Sequence, residues 1–113
     1  MTYQTTLSEL YQDFNNRNID AVLAFLHADV DWPNGWEGGS VHGQQEVRAY
    51  WLRQWLEINP NVEPVSYFER TNGDIAVEVH QLIKDLNGQI LNDGQVTHVY
   101  TFEEGKVRKM VIE

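Results

Sequence analysis

The 113-residue chain has no cysteine, which excludes disulfides, thiolate nucleophiles, iron–sulfur clusters and zinc knuckles. Basic residues are scarce: eight against seventeen acidic ones, for a formal charge of −9 and no Lys/Arg cluster. Such a surface repels phosphate backbones and anionic lipids, so neither nucleic-acid binding nor membrane attachment is expected. Long apolar runs are also missing. The longest, Ala21–Leu26, is far short of the roughly 20 residues that cross a bilayer. The start, Met1-Thr2-Tyr3-Gln4, has neither a basic region nor an apolar core, so no signal peptide is expected. No Gly-x-Gly-x-x-Gly, phosphate-loop, Gly-x-Ser-x-Gly or His-Glu-x-x-His motif occurs, which leaves nucleotide, serine-hydrolase and zincin chemistry without support. With 42% hydrophobic and 12% aromatic residues, the chain reads as one soluble, acidic, cytoplasmic domain spanning 1–113.

The N-terminal third is patterned for helices. Thr6-Leu7-Ser8-Glu9 fits a capping box, and Leu7, Leu10, Tyr11 and Phe14 follow at helical spacing. Asn15-Asn16-Arg17-Asn18 breaks that pattern, and Asn18 is placed to cap a short second helix carrying Ile19, Val22, Leu23 and Leu26. Asp29–Trp32 alternates like a short strand, stopped by Pro33-Asn34-Gly35. A glycine-rich stretch leads to Gly43 and a third helix over Gln44–Ile58, ended by Asn59-Pro60-Asn61.

Beyond Asn61 the pattern is antiparallel sheet, with strands predicted at Val62–Arg70, Asp74–Leu86, Gln89–Phe102 and Lys106–Glu113. The turns are Asn72-Gly73, Asn87-Gly88 and Glu104-Gly105, and a bend is expected near Asn92-Asp93-Gly94. Helices first and a meander afterwards predict an α+β fold, with helices segregated onto one face of a curved sheet. Period two places Ala76, Glu78, His80, Leu82 and Lys84 on one face of their strand, and Val77, Val79, Gln81, Ile83 and Asp85 on the other. On the next strand Val96, His98, Tyr100 and Phe102 share a face, opposite Gln95, Thr97, Val99 and Thr101.

The run Asn-Arg-Asn-Ile-Asp at 16–20, then Phe25-Leu26-His27-Ala28-Asp29-Val30-Asp31-Trp32, then Val41-His42-Gly43, resembles the start of a SnoaL-like domain. Val96-Thr97-His98-Val99-Tyr100-Thr101-Phe102-Glu103-Glu104-Gly105-Lys106-Val107 resembles the final hairpin of that group, the nuclear-transport-factor-2-like superfamily that includes ketosteroid isomerases and polyketide cyclases. The resemblance covers essentially the whole chain. It implies a cone-shaped half barrel, three helices on the concave face of a curved, mainly antiparallel sheet, an apolar pocket and dimerisation through the outer sheet face. It also implies either acid–base catalysis without metal or organic cofactor, or a scaffold without catalysis.

Against the isomerase pattern the match is partial. The resemblance places the catalytic base before Pro33, where Trp32 stands and cannot take a proton, so steroid isomerisation by that mechanism is not expected. The aspartate of the oxyanion pair falls on His98, and its tyrosine on Leu10, with Tyr11 one residue away.

His98, between Val96 and Tyr100, is the leading candidate for acid, base or oxyanion donor, because imidazole titrates near neutrality. His80 and Glu78 are expected to join it across the cavity, with Glu78 orienting an imidazole. Such a trio is also a conceivable metal set, although no ligand-spacing motif supports one, and no cofactor is assigned. Tyr11, Phe14, Trp32, Trp36, Trp51, Trp55 and Tyr100 are the predicted lining for a flat apolar ligand, with core packing as the plain alternative. His42 reads as an exposed loop residue, His27 as a helix-terminal charge, and Asp31 as a solvated strand carboxylate.

Two functions fit: a cofactor-independent isomerase, cyclase or dehydratase acting by proton transfer on an apolar carbonyl compound, or a non-catalytic ligand-binding or dimerisation module. A homodimer is expected through Val77, Val79, Ile83 and Val99 with Gln81, Gln95, Thr97 and Thr101.

Overall fold

A computed structural model describes residues 3–113; Met1 and Thr2, part of the start examined for a signal peptide, lie outside the described residues. The elements are α1 (Gln4–Asn15), α2 (Ile19–Ala24), β1 (Leu26–Pro33), β2 (Ser40–His42), α3 (Gly43–Trp55), β3 (Ile58–Glu69), β4 (Ile75–Asp85), β5 (Ile90–Glu103) and β6 (Lys106–Ile112). The strands form one open sheet in the order β2-β1-β6-β5-β4-β3. All pairings are antiparallel except β1 with β6, so the last strand of the chain sits inside the sheet. The α+β half barrel is as expected.

Helices form where the apolar spacing is three or four. Leu7, Leu10 and Tyr11 are the buried stripe of α1, and Val47, Tyr50 and Trp51 that of α3. These stripes face a core that includes Val30, Val77, Val79, Tyr100 and Val107 from the sheet. Three local expectations are corrected. The first helix begins at Gln4 with Tyr3 as its cap, so Thr6 is already helical and the capping box does not form. Asn18 caps α2 as expected, by position and without a side-chain hydrogen bond, but the helix stops at Ala24 and Leu26, expected on it, opens β1. The third helix ends at Trp55, and Asn59-Pro60-Asn61 lies within β3. Proline is tolerated there because β3 is an edge strand. Asn15 at the end of α1 ties that edge down: its Nδ2 donates to the Val62 carbonyl at 2.7 Å, and its Oδ1 accepts from the Val62 N–H at 2.9 Å.

One irregularity decides which side chains face inward. Near the β4–β5 turn Lys84 pairs with Ile90, but the next pair is Ile83 with Asn92, so Leu91 is an extra residue on β5. A one-residue shift sends every side chain of a strand to the other face. Beyond this bulge Val77 lies opposite His98, and Val79 opposite Val96. The concave face of β4 therefore carries Val77 and Val79, both fully buried, and Glu78 and His80 lie on the convex face. This reverses the expected pairing of faces. Val77 and Val79 belong to the core and Gln81 and Ile83 to a cavity wall, so none of the four forms an outer apolar patch. A second bulge, between Thr101 and Phe102, breaks the alternation of β6, so that Val107 and Met110 both point inward.

Candidate functional site

Between the helices and the concave face lies a cavity of about 580 Å³. From α1 come Leu10, Tyr11 and Phe14, from α3 Tyr50, Trp51 and Gln54, and from the end of β1 and its following loop Trp32, Asn34 and Trp36. The sheet contributes Gln81, Ile83, Val96, His98, Tyr100 and Met110. Among the described residues no Asp, Glu, Lys or Arg lines this space. Its walls are mutually braced aromatics: Trp32 packs edge-on to Trp51 at 5.4 Å and to Tyr100 at 6.2 Å, and Phe14 edge-on to Trp51 at 5.4 Å.

His98 is one of two buried polar residues among those described. Burial lowers its pKa from 6.5 to about 4, so the imidazole is neutral at pH 7. Its Nδ1 lies 2.9 Å from the Tyr11 hydroxyl, which in turn is 2.7 Å from the Tyr100 hydroxyl. The proton positions follow from counting. If Tyr100 donates to Tyr11 and Tyr11 donates to His98 Nδ1, both hydroxyl hydrogens have an acceptor and the ring proton is left for Nε2 at the cavity wall. In the reverse sense the fully buried Tyr100 hydroxyl hydrogen has none, which costs about 1–3 kcal/mol. Nδ1 is therefore the acceptor and the ring proton sits on Nε2, which no described residue engages. The result is a neutral N–H donor on an apolar wall. Burial also raises the pKa of Tyr11 and of Tyr100 well above the phenolic value, so both stay protonated and the sense of the chain holds.

The other predicted site residues separate. Tyr11, Phe14, Trp32, Trp36, Trp51 and Tyr100 do line the cavity. Trp55 does not: it stacks on Trp51 at 6.1 Å, packs on Phe14 at 5.5 Å, and is covered by the Arg17 guanidinium 5.1 Å from its ring. It buttresses the wall from behind. His80 is on the outer face with Nε2 2.6 Å from Asp93 Oδ1, and Glu78 there accepts from the Thr97 hydroxyl at 2.8 Å. Neither can reach His98 through the sheet, so the proposed trio does not assemble. Asp31 and His42 pair with each other at 2.7 Å outside the cavity, with Arg108 also on Asp31 at 3.2 Å. Sequence reasoning missed Asn34, Gln54 and Gln81. The sequence pattern sets Gln81 on the same strand face as Val77 and Val79, and the register beyond the bulge turns that face inward.

One further cluster joins His27, Glu103 and Glu104. His27 Nδ1 accepts the Asp29 N–H at 3.0 Å, which leaves the ring proton on Nε2, 3.2 Å from Glu103 and 3.6 Å from Glu104. A metal would need the Nε2 lone pair that this tautomer lacks, and the Arg108 Nε already lies 3.7 Å from Glu103. The group is a hydrogen-bonded cluster flanked by the Arg108–Glu103 ion pair, and His27 stands in β1 and not at the helix end where it was expected.

Comparison with known proteins agrees with this architecture. A family model described as the SnoaL-like domain matches residues 7–110. An NTF2-like protein of unknown function from Burkholderia pseudomallei superposes with a TM-score of 0.86 at 26% identity, covering 100% of this chain and 90% of that one. TerC, co-crystallised with polyporic acid, gives 0.81 at 22% identity, over 96% of this chain and 86% of that one. Rv0760c from Mycobacterium tuberculosis, in complex with estradiol-17β-hemisuccinate, gives 0.78 at 16% identity, over 93% and 86%. No curated protein matches significantly.

Proposed function

The chain belongs to the SnoaL-like domain family, and from that premise we propose that it binds a flat, uncharged, apolar carbonyl compound in the cavity, with the carbonyl oxygen held by His98 Nε2–H. The observation that carries this reading is the one-way chain Tyr100–Tyr11–His98, which leaves an imidazole N–H donor on a largely aromatic wall, beside the amides of Gln54 and Gln81. The absence of charged lining residues among those described supports an uncharged ligand. The ligands named for TerC and Rv0760c are in keeping with small-molecule binding in this fold.

The same donor polarises the carbonyl it holds. In the catalytic form of the reading, His98 stabilises the oxyanion of a proton-transfer reaction (isomerisation, cyclisation or dehydration) without a cofactor. The absence of a lining carboxylate favours the second reading, binding without turnover, because a neutral imidazole already protonated on Nε2 is no base toward the cavity. A matched pair of probes tests both. Quenching of tryptophan fluorescence should show 2-acetylnaphthalene binding about tenfold more tightly than 2-ethylnaphthalene, the worth of one buried hydrogen bond. His98→Phe should erase the preference, and equal affinities in the wild type would reject the reading. Deuterium uptake into the acetyl group in D2O, followed by NMR, then separates the two forms: catalysed exchange means turnover, and none means a binding module.

The proposal extends to a homodimer through the convex face, in a soluble, cytoplasmic setting. Of the residues first expected there, Val99, Gln95 and Thr97 keep to that face, whereas Val77, Val79, Gln81 and Ile83 turn inward. Phe68, Ala76, Val99 and Val111 form one cross-strand row there, with Phe68 67% exposed. Light scattering at the 13.2 kDa monomer mass would refute it.

A further inference from the structure

The loop between β1 and β2 is a self-closed unit. The Asn34 N–H donates to the Gly39 carbonyl at 2.9 Å, and the Gly38 N–H to the Asn34 carbonyl at 2.8 Å. Gly38 and Gly39 have φ of 96° and 75°, which only glycine adopts without strain. The Asn34 side chain is buried inside the loop, where its Oδ1 accepts the Glu37 N–H at 2.7 Å and its Nδ2 donates to Glu37 Oε1 at 2.9 Å. The same Glu37 carboxylate takes two bonds from Arg53 of α3, from Nη2 at 2.9 Å and from Nε at 3.3 Å. One turn away on α3, the Tyr50 hydroxyl accepts from Gln54 at 3.1 Å and faces the backbone N–H groups of Gly35 and Trp36. Among the described residues, every hydrogen bond that ties the loop to the body therefore goes to one helix. Trp36, carried by the loop, is part of the cavity wall.

An isolated surface ion pair is worth little. This one differs because its carboxylate also satisfies a buried amide, so releasing Arg53 loosens the Asn34–Glu37 turn that orients Trp36. We propose that Asn34, Glu37 and Arg53 form a latch that holds Trp36 against the cavity and sets how fast an apolar ligand enters and leaves. The proposal rests on the cavity's being a ligand site, as argued above, but its structural half needs no ligand. Asn34, Glu37 and Arg53 are positioning residues. Trp36 meets the ligand through its ring and Asn34 also borders the cavity, whereas Glu37 and Arg53 act from outside it.

The test uses Glu37→Gln, which keeps an oxygen for Asn34 but removes the charge, and Arg53→Met, with Arg53→Lys as the conservative control. Amide hydrogen exchange in the unliganded protein should quicken about tenfold at Glu37 and Gly38 in the first two variants, and stay unchanged in β4 and β5, since local opening is independent of global unfolding. Stopped-flow with Nile red, a neutral dye, should show both association and dissociation rates rising with little change in Kd. Arg53→Lys should recover most of the wild-type values. Unchanged loop exchange in both variants, or a uniform rise that includes β4 and β5, would overturn the latch. Faster loop exchange with unchanged dye rates would overturn its control of access. If the wild type binds no Nile red while the loop exchange changes as expected, the ligand-site reading and the control of access fall together, and a latch on Trp36 alone remains.

Discussion

His98 and His80 lie on neighbouring strands and differ in almost everything a histidine can do. His98 is 6% exposed, shares its Nδ1 with a tyrosine and is pushed to a pKa of about 4. His80 stands in solvent on the convex face, paired with Asp93. Both occupy ladder positions that alternation alone would place on one face, and a single extra residue, Leu91, separates them. Side-chain chemistry is thus decided by backbone parity before any local environment acts. A buried, neutral histidine is a directional donor, whereas a solvated one paired with a carboxylate is a surface charge.

The most severe way to break this contrast is to delete Leu91. If the ladder stays in register with the turn, Val77 and Val79 move to solvent, and losing their burial costs at least ~3 kcal/mol. Urea denaturation should show a large drop in midpoint or no cooperative transition, and a variant as stable as the wild type would mean that the bulge does not set the register.

A second test sharpens the contrast by pH. His98 has a folded pKa near 4 and an unfolded value near 6.5. Between these limits the unfolded state binds more protons, so stability is complete above about pH 6.5 and declines as the pH falls toward 4. The integrated loss is about 3 kcal/mol. In His98→Gln the acid limb between pH 6.5 and 4 should be shallower by that amount in paired urea titrations. Limbs of equal slope would show that His98 does not titrate as described.

Removing the relay comes next. Tyr11→Phe leaves the Tyr100 hydroxyl and His98 Nδ1 without partners, at a cost of about 1–3 kcal/mol, and frees the tautomer. Thermal denaturation should report the loss, and nitrogen-15 shifts of His98 should move from the Nε2–H pattern toward a mixture. An unchanged pattern would place the control of the tautomer elsewhere. The smallest effect belongs to the outer histidine. His80→Gln should alter stability by no more than about 0.5 kcal/mol and leave probe affinity untouched, as an exposed pair should. A larger change in affinity would return His80 to the site.

Much of this was legible in the sequence. The order of elements followed from Leu7, Leu10 and Tyr11 at helical spacing and from the Asn-Gly turns. The aromatic cavity followed from Trp32, Trp36, Trp51 and Tyr100. Register did not follow, because the bulge at Leu91 carries no compositional mark: a leucine there looks like any strand residue. Asn34 was read only as part of a chain stop, since its burial depends on a helix that arrives later in the chain. Trp55 looked like its neighbour Trp51, and only the packing of Phe14 against both rings, with Arg17 over Trp55, shows which indole meets the cavity.

The pairing of β6 beside β1 has a consequence for synthesis. The strand that carries Trp32 cannot acquire its inner neighbour until residues 106–112 have left the ribosome, since β6 lies between β1 and β5. The three helices and β1 thus emerge with an unsatisfied strand edge and an apolar face that only the end of the chain can cover. Contacts of such long sequence separation form slowly. A chain that stopped short of residue 106 would be left with its aromatic cavity open and a vacant slot in the middle of its sheet, a form more apt to aggregate than to bind.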